Sequence, residues 1–300
     1  MDMEPHNRPQ PEQEPPDYPA YPAFSGPRFP ITFKTVSIFL GLFLATVVTT
    51  WTVGGPWYCF GLLLILGSHE FGHYVACRMN NVNSSLPNFI PMPPIPYFLN
   101  IGTMGAFIMM KEPIPNRKAL MEIGASGPIA GFIVAVPVLV IGLLNSDVVL
   151  EQNLNPMSNI RLGDSLIFLG MVKGVLGIDP LSTEDTVMLH PLAYAGWLGM
   201  FFTALNLLPM GQLDGGHVIY SLFDRKRSLL VARIFFVALI VLGFDWAGWW
   251  VWAGLVFMMR LRHPPVLDET TPLEPKHRLI GYASIAILII TFVPVPFGVG

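Results

Sequence analysis

Two histidines and a glutamate stand together in His69-Glu70-Phe71-Gly72-His73, inside a long apolar run. On a helix of 3.6 residues per turn, positions 69 and 73 lie about 40° apart around the axis, so both imidazoles leave one face. That spacing suits two nitrogen ligands of one zinc ion. Glu70 beside them is placed to accept a proton from a water held at the ion. The chemistry implied is metal-assisted hydrolysis. Alone, the five-residue pattern is weak; its setting makes it informative. Three ionisable groups sit roughly ten residues, about 15 Å, from the end of an apolar helix. Burying them costs several kcal/mol unless a partner such as a metal compensates. The alternative is a hydrogen-bonded polar cluster between helices.

A catalytic zinc takes three protein ligands and keeps one position open. His190 lies at the entrance of another apolar segment, and His6, His263 and His277 fall in tail or loops. Asp214 and His217 remain, in Asn206-Leu207-Leu208-Pro209-Met210-Gly211-Gln212-Leu213-Asp214-Gly215-Gly216-His217. Pro209 and Gly211 should unwind a helix there, and Gly215-Gly216 lets backbone approach closely. A carboxylate on such a break can reach the metal. His217 is the competing ligand, or else a helix-start histidine bonded locally.

The elements that must hold these groups are apolar. Hydrophobic residues make up 52% of the 300-residue chain and charged residues 12%, about half the charged share of an ordinary globular protein. The fold class expected is an all-α polytopic membrane protein. A net charge of -3 argues against a nucleic-acid partner. Cys59 and Cys77, both in apolar surroundings, exclude a disulfide scaffold or a Cys-rich metal site.

Crossings are expected near 35–53, 56–78, 120–144, 191–210, 229–244, 246–260 and 279–297, at about 20 apolar residues each. Gly54, Gly55 and Pro56 divide the first two; Asp245 marks a turn between the fifth and sixth, which are short. With seven crossings, 14 of the 17 basic residues fall on one side, Arg161 and Lys173 on the other, and Arg233 inside a crossing. The positive-inside rule then puts the N-terminus in the cytoplasm and the C-terminus outside. Joining 229–260 into one crossing would move Arg260, Arg262, Lys276 and Arg278 to the wrong side.

Residues 1–30 carry nine prolines among Gln, Glu and Asp and are expected as a disordered cytoplasmic tail. They lack the basic start and apolar stretch of a signal peptide. A bacterial inner membrane is the expected location. Residues 31–300 then form the membrane domain, with an outer loop at 145–190 whose stretch 165–176 suits an interfacial helix. On the cytoplasmic side, Pro87, Pro91, Pro93, Pro94 and Pro96 forbid a regular helix in 86–110, yet the segment is greasy. It reads as a re-entrant loop lining a cavity, with a strand over 102–110. Gly127 and Gly131 suit close packing against the motif-bearing helices. Trp246, Trp249, Trp250 and Trp252 read as an outer interfacial anchor.

The pair of motifs, His69-Glu70-Phe71-Gly72-His73 and Asn206-Leu207-Leu208-Pro209 through Leu213-Asp214-Gly215, resembles the site-2 protease family of intramembrane zinc metalloproteases. Gly124-Ala125-Ser126-Gly127-Pro128-Ile129-Ala130-Gly131 is similar to the glycine-rich start of that family's middle core helix. The resemblance covers residues 56–225. It implies that His69, His73 and Asp214 bind one zinc ion per chain and that Glu70 is the catalytic base. Asn206 would contact substrate or help stabilise the intermediate. Nothing between the core helices looks like a PDZ domain, which is closer to the bacterial and plastid branch.

The substrate implied is a single-pass transmembrane protein in the lipid bilayer. A helical peptide bond is closed to attack, so it must unwind, and an edge strand can hold the extended form. Gly102, Gly105 and Phe107 are the candidates for that contact; the alternative is a scaffold that only packs the active helix. A divalent-metal transporter using the same His/Asp cluster is the competing function, and a catalytically silent chaperone a third.

Overall fold

The computed structural model describes residues 31–93, 101–110, 113–150, 160–180 and 185–299. The expected tail at 1–30 lies outside them, as do Pro94 and Pro96 of the proline-rich loop and parts of the outer segment.

The first helix, α1 (Phe33–Met79), contains one residue with non-helical dihedrals, Gly55, at φ 74 and ψ -171. Only glycine takes that conformation without strain, and Pro56 behind it cannot donate a helical hydrogen bond. The chain doubles back there. Cys59 Sγ lies 3.6 Å from the carbonyl oxygen of Val47, twelve residues away, where a straight helix would separate them by about 18 Å. Gly54–Pro56 therefore divides two limbs, as the sequence suggests.

Helix α2 (Arg117–Leu144) is the central post. It packs against both α1 and the later helices α4 (Pro191–Asn206), α5 (Asp214–Leu222) and α8 (Pro275–Thr291). Helix α3 (Leu166–Leu176) falls where the interfacial helix is expected, with Ser165 capping its N-terminus. Helices α6 (Arg225–Leu242) and α7 (Gly248–Met258) double back on one another, so 229–260 is not one bent helix. Of the eight helices among the described residues, α1 and α2 are long and apolar enough to cross a membrane by themselves.

The fold is mostly helical but not all-α. Strands β1 (Asn88–Pro91) and β2 (Thr103–Phe107) pair antiparallel, matching the strand expected in the re-entrant loop. Two further pairs lie elsewhere: β3 (Asp147–Leu150) with β5 (Asp185–Met188), and β4 (Ile160–Leu162) with β6 (Phe297–Val299). Such three- and four-residue strands carry too little periodicity to be read from sequence.

The two ends of α2 gather different partners. At its start, Arg117 reaches α5, Lys118 pairs with Glu274 at 2.7 Å, and Glu122 lies 3.1 Å from His277. At its far end, Ser146 Oγ accepts a bond from the His190 amide. The tryptophan group is not a simple surface anchor. Trp249 is fully buried, stacked on Phe292 and donating to the Pro294 carbonyl at 2.6 Å, while Trp246 packs on Phe201 and Phe297. Aromatic count alone does not separate a lipid-facing belt from an interhelical core.

Candidate metal centre

His69 and His73 face inward from the second limb of α1, and both are buried. The break after α4 delivers Asp214. There Gly211 turns the chain at φ 55, and Gly215 lies so close to the Leu207 carbonyl that no side chain fits. Asp214 opens α5 in its first turn, where the helix dipole favours a carboxylate. Arg117 holds the other end of α5, donating from Nη2 to the carbonyls of Ser221 at 2.6 Å and Phe223 at 2.7 Å.

The result is a nearly equilateral triangle of ligand atoms. His73 Nε2 is 3.1 Å from His69 Nε2 and 3.2 Å from Asp214 Oδ2, and His69 Nε2 is 3.2 Å from the same oxygen. Among the described residues this is the one group of three or more His, Cys, Asp and Glu side chains close enough to share a metal. The donor set fits zinc on two counts. Ligand bonds of about 2.0–2.1 Å at tetrahedral angles separate donor atoms by roughly 3.3 Å. The tautomer also agrees: His73 Nδ1 lies 2.7 Å from the Ile123 carbonyl, which only accepts, so Nδ1 carries the proton. In the neutral ring Nε2 then offers a lone pair. With His73 neutral, its Nε2 lone pair faces the Asp214 carboxylate oxygen, and a cation between them resolves the repulsion.

Helix α2 shapes the cradle. A Cβ at Gly124 would meet His217 Cβ at 2.5 Å, one at Gly127 would strike the ring of His73, and one at Gly131 would press on His69 at 3.3 Å. Positions 124, 127 and 131 follow helical spacing, so one bare stripe seats three histidines. The small-residue pair is therefore a packing surface against the motif-bearing helices, as its spacing suggests.

Glu70 is buried beside the ligands and lies outside the three-atom set. The Asn206 amide nitrogen lies 3.4 Å from His69 Nε2, at the edge of the centre. His217 is not part of the triangle. Its Nδ1 is 2.6 Å from Nε2 of His263, whose own Nδ1 donates to the Pro264 carbonyl at 2.5 Å. That last bond leaves His263 Nε2 as acceptor, so His217 donates to it. Tyr220 lays its ring on His263 with centroids 4.4 Å apart, and burial pushes the His263 pKa down to about 4.

The three strand residues divide. Gly102 is pinned to α1: its carbonyl accepts from Thr49 Oγ1 at 2.6 Å, and a Cβ there would meet the Thr49 carbonyl oxygen. Gly105, at φ 98, has open space around it, and Phe107 is exposed. Strand β2 pairs with β1 alone among the described residues, leaving its other edge without a strand. His190 caps α4 and His277 pairs with Glu122. Three participants escape sequence reading: Arg117, the Ile123 carbonyl and His263. Arg117 looks like any membrane-edge cation, a carbonyl has no sequence signature, and His263 meets His217 across 46 residues of chain.

The chain is 31% identical over 242 residues to Probable zinc metalloprotease EGY1, chloroplastic, of Arabidopsis thaliana, covering 79% of this chain and 42% of that protein. It is 30% identical over 241 residues to Probable zinc metalloprotease EGY2, chloroplastic, of the same plant, covering 78% and 41%. With Probable zinc metalloprotease EGY3, chloroplastic, of Oryza sativa subsp. indica, identity is 28% over 285 residues, covering 88% and 46%. The chain thus spans less than half the length of these relatives. No solved structure matches it. The description Peptidase family M50 matches residues 57–244, a stretch that contains both motifs and the glycine stripe between them. On that match the chain belongs to Peptidase family M50, the site-2 protease family.

Proposed function

We propose that this chain is an intramembrane zinc metalloendopeptidase that cleaves transmembrane or membrane-anchored proteins, holding one zinc ion on His69, His73 and Asp214. The observation that carries the reading is the convergence of these three ligand atoms from two distant segments, with Glu70 adjacent and left free. The relatives' printed names, each a probable zinc metalloprotease, support it. Bound zinc supplies Lewis acidity, lowering the pKa of a water to about 7 and polarising the scissile carbonyl. Glu70 takes the water proton and passes it to the departing amine. The Ile123 carbonyl fixes the His73 tautomer. Asn206, beside His69, presents an amide donor to the substrate carbonyl.

The seven apolar limbs are read as crossings, with the basic face of the bundle in the cytoplasm of a bacterial cell. Substrate enters extended, adding to the open edge of β2 near Gly105 and Phe107, with Gly102 as the anchor that holds the strand to α1. Phe107→Pro, which disrupts that strand, abolishes cleavage and leaves zinc bound; unchanged turnover refutes the strand's role.

The test of the function compares purified wild type with Glu70→Gln for zinc content and cleavage of a transmembrane substrate in liposomes. The protease reading requires zinc in both and cleavage in wild type alone. Zinc flux that survives in the Gln variant, without cleavage by either, favours transport and overturns it.

A further inference from the structure

Arg233 is the basic residue that falls inside an apolar segment. Its helix α6 runs antiparallel to α7: Phe236 lies 6.1 Å from Phe257 between ring centroids, and Trp250 packs on Gly243. Both contacts define the same register, in which position 233 stands opposite position 260. Arg233 and Arg260 are exposed at one level of the hairpin, and neither side chain makes a hydrogen bond or ion pair among the described residues. Arg260 is held at φ 67, a conformation L-residues rarely adopt, with its carbonyl pressed against Gly211. Between Arg225 and His263 the one carboxylate is Asp245, in the far turn, twelve residues or about 18 Å from Arg233. Two like charges side by side repel unless an anion lies between them.

The apolar surface beyond this pair is short. Ile234, Val237, Leu255 and Phe257 are exposed along it, and from Arg233 to Phe244 the helix rises about 16 Å, against a hydrocarbon core of about 30 Å. A bilayer meeting so short a surface thins, or lets headgroups sink toward it. Arginine reaches such a headgroup by extending along the helix, and its planar fork suits two phosphate oxygens at once.

We propose that Arg233 and Arg260 together bind the phosphate of an anionic phospholipid on the outer surface of the α6–α7 hairpin. The site rests on the membrane-embedded reading and lies apart from the metal centre.

The test titrates phosphatidylglycerol, phosphatidylcholine and inorganic phosphate separately into detergent-solubilised full-length chain, following tryptophan fluorescence. Wild type should bind phosphatidylglycerol roughly 30-fold more tightly than the Arg233→Gln/Arg260→Gln variant, at about a factor of five per arginine. Phosphatidylcholine should not distinguish the two proteins, and inorganic phosphate should not bind. Equal phosphatidylglycerol affinity overturns the site, and phosphate binding with the same discrimination overturns the lipid as its source. Zinc content and elution volume report whether the double variant folds; if it does not, Arg233→Gln alone should show the fivefold loss. A chain released from membranes by alkaline carbonate defeats the membrane reading, whereas a retained chain without phosphatidylglycerol preference defeats this site alone.

Discussion

Gly127 faces the ring of His73 with no room for another carbon: a Cβ at position 127 would overlap His73 Nε2. The candidate metal centre is thus built by omission as much as by its ligands, because the bare positions Gly127 and Gly131 of α2 are where His73 and His69 seat.

Gly127→Ala should displace His73 and cut zinc affinity and cleavage by roughly 10–100-fold, the range for disturbing a ligand's support. Gly67→Ala, on the same limb as His73 but with open space around it, should keep both and stabilise its helix by roughly 0.5–1 kcal/mol. Zinc titration of the two variants checks the contrast; equal zinc affinity would remove α2 from the account of the site.

Arg117 ties the end of α5 to α2 through two carbonyls. Lysine carries the charge without the planar fork, so Arg117→Lys should not rescue what Arg117→Ala loses. Each should cost about 1.5–3 kcal/mol of thermal stability, the usual value of hydrogen bonds to a charged group, and both should weaken zinc by loosening the helix that begins at Asp214. Wild-type zinc affinity in either variant would show that α5 is positioned otherwise.

His263 gives the fold an acid sensitivity of definite sign. Its pKa falls from 6.5 in the open chain to about 4 when buried, so between these values the unfolded chain binds more protons. Stability from this residue is fully present above about pH 6.5 and is lost progressively as pH falls toward 4. His263→Gln removes the titrating group while Gln can still accept a bond from His217. Thermal denaturation at pH 7.5 and pH 5 should show a smaller acid loss in the variant. An equal loss would locate the sensitivity elsewhere.

Much of this centre was legible because ionisable residues are scarce in apolar sequence. His69, Glu70 and His73 stand out against their surroundings, and Asp214 follows from the Pro209–Gly211 break and the resemblance. The Gly54–Pro56 break was equally plain, since a glycine at φ 74 followed by proline has few other uses. What escaped depends on distance along the chain. His217 remained open between ligand and local bond because its partner, His263, is 46 residues away. The β4–β6 pairing joins two three-residue strands, one from mid-chain (Ile160–Leu162) and one near the C-terminus (Phe297–Val299). In sequence Trp249 reads like the tryptophans around it; only Phe292 and the Pro294 carbonyl, distant along the chain, enclose it.

In the proposed site, two imidazoles and one carboxylate hold a single zinc while Glu70 stays free to move protons. X-ray absorption at the zinc edge, recorded on purified Glu70→Gln with its metal content measured in parallel, tests it most directly. The expected result is one zinc per chain, with two imidazole nitrogens and a carboxylate oxygen at about 2.0–2.2 Å, and loss of the metal on Asp214→Ala. Sulfur in the shell, from Cys59 or Cys77, or full zinc retention by the Asp214→Ala variant would contradict it.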